Sequence, residues 1–155
     1  MKMQIEHFSL PAYQEIPDVG LYLDQVTKYI NGYIGQWPGM SLTPSMITNY
    51  VKLKIVEKPV RKTYTRAQIA RFLFIAIAKS VLSMEQIRKV LTMLETCGTQ
   101  EEGYTAFAKD MQILIQENGL QKKPKTDQEE MTLLWNVTIA IVHKLMLDLY
   151  FSQEK

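Results

Sequence analysis

Apolar residues recur at intervals of three and four along most of this chain, the spacing that gathers them on one side of an α-helix. Residues 1–17 read instead as an arm, because Pro11 and Pro17 discourage a helix there. Val19, Tyr22, Leu23, Val26, Ile30 and Tyr33 form the first helical stripe, with Asp18 placed to cap it. Gly32 and Gly35 weaken its end, and Trp37-Pro38-Gly39 makes a turn. Thr43-Pro44 opens a short second helix over 43–52, with Thr as cap and Pro at the first helical position. From Leu53 to Tyr64 the period changes. This stretch is β-branched and basic, is broken by Pro59, and suits a short twisted hairpin or an extended loop.

Four capping boxes then mark helix starts: Thr65…Gln68, Ser83…Gln86, Thr99…Glu102 and Thr126…Glu129. They predict helices over 65–80, 83–96, 99–118 and 126–152, with Gln121-Lys122-Lys123-Pro124-Lys125 as a solvated connector. The last helix is apolar around nearly its whole circumference, so it is expected in a core, a subunit interface or a membrane. His143, Lys144 and Asp148 interrupt it and leave an uncharged run shorter than the ~20 residues a membrane span needs. A small domain rarely encloses one helix on all sides. A homodimer interface through Leu134, Trp135, Ile141, Leu145 and Leu149 is therefore expected, and no membrane contact.

The 155 residues are 46% hydrophobic and 22% charged, which fits one domain with its own core and excludes disorder. One cysteine, Cys97, excludes an internal disulfide framework, and with only two histidines the chain lacks an ordinary Cys/His zinc set. Neither a metal nor a cofactor is expected. The N-terminus has no apolar signal-peptide core, and a cytoplasmic protein is expected. His143 is expected to be buried or at an interface, and Cys97 is read as a structural or exposed thiol without a resolving partner. Glu101, Glu102, Glu129 and Glu130 fall in first helical turns, where they complement the helix dipole. No phosphate-cradling Gly loop or nucleophile elbow occurs, so an enzyme is not expected.

The net charge of +2 hides a strong asymmetry. Residues 52–89 carry ten bases against two acids, while the remainder carries eight bases against fourteen acids. Such a window is the footprint of a polyanion-binding face, the alternative being a solvated basic surface with no partner. The order helix, turn, short helix, basic wing, helix, helix is the plan of a winged helix-turn-helix, whose second helix enters the major groove. In that helix Ser45, Thr48 and Asn49 are short donors and acceptors for base edges or phosphate oxygens. Ile47 and Tyr50 would pack inward, with the Tyr50 hydroxyl able to reach a phosphate. Lys52, then Lys54, Arg61 and Lys62 on the wing and Arg66 and Arg71 on the next helix, would neutralise phosphates.

From Met46 to Leu91 the sequence resembles the DNA-binding head of the mercury-resistance-type (MerR-like) transcription regulators. The resemblance lies in Met46-Ile47-Thr48-Asn49-Tyr50-Val51, in Lys54-Ile55-Val56-Glu57-Lys58-Pro59-Val60-Arg61 and in Tyr64-Thr65-Arg66-Ala67-Gln68-Ile69-Ala70-Arg71-Phe72-Leu73-Phe74-Ile75. It continues through Leu82-Ser83-Met84-Glu85-Gln86-Ile87-Arg88-Lys89-Val90-Leu91. Thr48 stands where that family has Arg, Asn49 replaces its first Tyr, and the wing lacks the Gly-Tyr-Arg tip. Gly32 to Leu42 add length inside the helix-turn-helix, and two helices around a Lys-Pro connector replace the long coiled-coil helix. The resemblance implies a winged helix-turn-helix for 43–95 and DNA contact. The whole chain is also similar to a bacterial family catalogued only as a domain of unknown function, which implies no activity.

The expectation is thus a mainly α protein: an arm at 1–17, a winged helix-turn-helix head with a short β wing at 18–98, and a two-helix tail at 99–155 that dimerises. Its function would be double-stranded DNA binding as a transcription regulator, with a small-molecule or protein effector unspecified. An alternative from another class is a non-catalytic protein-interaction module that keeps the fold without binding DNA. A third reading is a ligand pocket lined by Trp135, Tyr104 and Phe107.

Overall fold

Short side chains at helix starts set most of the architecture. A computed structural model describes residues 4–117, 119 and 126–152. Among these, six helices follow an arm that holds two single 3₁₀ turns: α1 Leu23–Ile34, α2 Pro44–Lys52, α3 Arg66–Ala78, α4 Met84–Cys97, α5 Gln100–Gln116 and α6 Glu129–Ser152. Three predicted capping boxes close in both directions. At α3, Thr65 N donates to Gln68 Oε1 at 2.7 Å, and Gln68 N donates back to Thr65 Oγ1 at 3.3 Å. Ser83 with Gln86 and Thr99 with Glu102 repeat the arrangement at α4 and α5. The fourth is displaced. Thr126 Oγ1 accepts from Gln128 N, and α6 starts only at Glu129. The predicted connector 121–125 lies outside the described residues.

Asp18 does not cap α1. The backbone from 18 to 22 is not helical: it bends at Val19, Gly20 takes φ +78°, and Leu21 pairs with Tyr64 through bonds of 3.2 and 2.8 Å. This places Asp18 Oδ1 3.1 Å from Arg66 N, so the carboxylate receives the first N–H of α3, a favourable place for an anion. Val19, expected in the stripe, is left 84% exposed.

The described residues hold no sheet, and the predicted β wing is a tight turn. Ile55 and Val56 are buried beneath the end of α2, where both their N–H groups point at Tyr50 O. That burial takes the apolar residues a strand would have needed, and Pro59 has no N–H for a ladder. What remains is one bridge, Val60 to Thr63, closed around Arg61 and Lys62.

The most enclosed helix is α3, not the terminal one. Every residue from Phe72 to Ala78 is at most 4% exposed, held by α1 on one side and by α5 and α6 on another. By length and composition α6 could cross a membrane, yet its apolar side lies on α4 and α5. Leu134, Trp135, Ile141, Leu145 and Leu149 are 0–6% exposed inside this protomer. Those five side chains, expected at a dimer interface, are therefore not available to a partner. Leu147, Tyr150 and Phe151 are the large exposed apolar residues of α6. His143 is exposed as well, with Nε2 3.2 Å from Gly119 O.

Candidate nucleic-acid interface

The α2 helix divides by side. Thr43 Oγ1 accepts from Met46 N at 3.1 Å and fixes the first turn, with Pro44 at the position that needs no donor. Ile47 and Tyr50 then face inward at 0% and 3% exposure, while Ser45, Thr48, Asn49 and Lys52 face solvent. Burial of Tyr50 raises its phenol pKa above the ordinary value, and the ring is part of the core, not of the outer surface.

The extra length at 32–42 does not cover this helix. Trp37, Met40 and Leu42 are buried in the core, where the Phe8 ring packs against Trp37, tilted by 60° with centroids 5.4 Å apart. Asn31 clamps the returning chain, donating to Leu42 O at 2.8 Å and accepting from Leu42 N at 2.9 Å. Lys79 Nζ donates to Gly39 O and ties the same turn to the end of α3. The outward side of α2 stays open as a shallow hollow formed by Ser45, Thr48, Asn49, Val51 and Lys52.

The predicted bases separate into two groups. Lys52, Lys54, Arg61 and Lys62 are exposed and make no ion pair among the described residues. Val51 lines both the α2 hollow and a groove that holds Lys54 and Lys58, so those cations adjoin the α2 face. Lys58, one of the ten bases of the 52–89 window, is exposed there too. Arg61 and Lys62 sit at the tip of the turn, and Lys62 lies beside Tyr22, Leu23 and Asp24 at the start of α1.

Arg66 and Arg71 are engaged internally instead. Arg66 Nε donates to Ile16 O at 2.8 Å and Nη2 to Gln14 O at 3.0 Å, with the guanidinium 5.7 Å from the Tyr13 ring centroid. Arg71 donates to Ile55 O at 3.1 Å and pairs with Glu95. Burial lowers the Arg71 pKa, against the pull of Glu57. Their work is to hold the arm and the 54–58 segment in place.

Three features come to rest elsewhere. The cavity beside Tyr104 and Phe107 has a volume of about 40 Å³ and does not include Trp135, too little for the third reading's ligand. The Cys97 thiol donates to Leu94 O, and burial together with Glu130 raises its pKa, opposite to the shift of a reactive thiolate. Glu101 accepts from Gln14 Nε2 at 2.7 Å and so helps to hold the arm.

Residues 11–110 match the family described as a domain of unknown function, DUF1836, which takes in the end of the arm, α1–α4, the first part of α5 and the whole candidate face. No curated protein and no solved structure matches the chain.

Proposed function

We propose that this chain, which belongs to the DUF1836 family of unknown function, binds double-stranded DNA as a reduced winged helix-turn-helix of MerR-like type. The outward side of α2 enters the major groove, where Asn49 can pair bidentately with adenine and Ser45 and Thr48 reach neighbouring edges or phosphates. Lys52, Lys54, Arg61 and Lys62 neutralise phosphates, and a transcription-regulating role follows from that mode.

One observation carries this reading. Among the described residues, the only non-glycine positions with left-handed backbone are Lys54, Arg61 and Lys62, at φ 60°, 52° and 65°. A two-residue hairpin turn with both central φ positive favours Asn and Gly. Each departure from that choice costs about 1 kcal/mol. Cations kept at three strained, exposed positions point to a use for their charge. Fluorescence anisotropy of a labelled duplex, titrated from 50 to 200 mM salt, tests it. Four neutralised phosphates give a log–log slope of about −3.6, hence a loss of about 150-fold in affinity across that range. Lys54/Arg61/Lys62→Ala is expected to bring the slope to about −0.9. No binding at the low-salt end, or an unchanged slope in the variant, refutes the reading.

A second copy is the partner we assign to the end of α6. Leu147, Tyr150 and Phe151 are 55–62% exposed and share one side of the helix by their spacing of three and four. Two-fold pairing there would bury them and set the half-site spacing on DNA. Sedimentation of Leu147→Glu/Tyr150→Glu as a monomer beside a dimeric parent is the expected result. A monomeric parent would leave these apolar residues to a different protein, the interaction-module reading.

A further inference from the structure

We propose that the groove between the 54–60 segment and the α4–α5 junction binds a small carboxylic acid with a short aliphatic chain, its carboxylate on Arg71. The site does not depend on nucleic-acid binding. Two spaces meet at Arg71. On one side is an open groove of about 950 Å³ that contains Lys54 and Lys58. On the other is the apolar cavity of about 40 Å³, walled by Phe74, Leu91, Leu94, Gly103 and Phe107. Ala67, Arg71, Glu95 and Gln100 line both, so the cavity opens into the groove at the ion pair.

The pair is unequal in a way that makes it exchangeable. The Arg71 side chain is 17% exposed, and Ile55 O holds it at 3.1 Å. It needs an acceptor on its other nitrogens. Glu95 is 49% exposed and can return to water at little cost. An incoming carboxylate replaces it with a two-pronged match to the guanidinium fork, which is the geometry Arg favours. With Glu95 swung out, Lys54, Lys58 and Arg71 face Glu57 alone in the groove, an excess of positive charge that suits a single anion. Behind Arg71 the walls are mostly apolar, so an alkyl end that enters there leaves water for carbon. About 150 Å³ is known to hold benzene, so about 40 Å³ excludes a ring and admits the end of an alkyl chain.

Titration of the ¹⁵N-labelled full chain with sodium butyrate, against acetate and butan-1-ol at matched ionic strength, tests the site. Butyrate is expected to shift the amides of Ala67, Arg71, Leu94 and Gly103 with a Kd of about 1 mM. Butan-1-ol, lacking the charge, is expected to bind at least about tenfold more weakly. Glu95→Gln removes the competing carboxylate and is expected to tighten butyrate several-fold. Gly103→Ala adds a methyl that meets Leu94 at 3.8 and 3.9 Å, ordinary contact that the fold tolerates. It is expected to erase the advantage of butyrate over acetate. The proposal is overturned by equal binding of butyrate and butan-1-ol, by shifts confined to other residues or absent at about 50 mM, or by a Gly103→Ala protein that discriminates chain length as before.

Discussion

Replacing Arg66 by Met separates an anchoring arginine from a phosphate-binding one. In the folded chain its guanidinium donates to Ile16 O at 2.8 Å and to Gln14 O at 3.0 Å, and lies 5.7 Å from the Tyr13 ring. A hydrogen bond from a charged donor is worth about 1.5–3 kcal/mol. The bond to Gln14 is exposed and counts for less, and Met recovers some of the stem's packing, so the net loss is about 2–3 kcal/mol. An unfolding entropy of about 2.1 cal/mol/K per residue makes each kcal/mol worth about 3 °C in a chain of this length. Differential scanning calorimetry is expected to show Tm lowered by about 6–9 °C. Hydrogen exchange is expected to quicken at Glu15 and Ile16, whose N–H groups bond within the arm's second 3₁₀ turn. The salt slope of DNA binding should not move. An unchanged Tm, or a slope shallower by about 0.9, would show that Arg66 serves a phosphate and not the arm.

Two further outcomes follow from the same structure. Thr43→Ala removes the cap of α2 and is expected to cost about 1 kcal/mol, seen as a Tm lower by about 3 °C, and, on the proposed function, to weaken DNA binding by fraying the helix proposed to enter the groove; equal stability would show that Pro44 alone fixes that turn. Asp110 is raised to about 6 from its ordinary 3.8, chiefly by burial, with Lys109 opposing. Because its folded pKa exceeds its unfolded one, the protonated group stabilises the fold at low pH, and that contribution fades as pH rises from about 4 through about 6. Asp110→Asn should flatten Tm against pH over this window and raise stability at neutral pH, and an unchanged profile would place the carboxylate in water.

What was legible in the sequence was local. A Ser or Thr three residues ahead of a Gln or Glu needs no distant partner, and Thr65, Ser83 and Thr99 start their helices as their spacing says. The mainly helical character and the α2 boundaries follow from similar short-range chemistry. The misses share one cause, a partner far along the chain. Asp18 is a good cap, but a bridge between Leu21 and Tyr64 turns it toward α3. Arg66 and Arg71 look like any other exposed bases until backbone carbonyls at 14, 16 and 55 claim them. Ile55 and Val56 have strand-like side chains, yet the space under α2 takes them first. The apolar girth of α6 is likewise ambiguous from sequence, because α4 and α5 fold over the very residues expected to meet a second chain.

The most direct test of the proposed function is a residue-resolved footprint: ¹H–¹⁵N spectra of the full chain with and without a short duplex at low salt. Binding through α2 and the basic turn predicts shifts at Ser45, Thr48, Asn49 and Lys52, together with Lys54, Arg61 and Lys62, and little change at Arg66. Shifts centred on Leu147 and Tyr150, or none at any residue from 45 to 62, would contradict it.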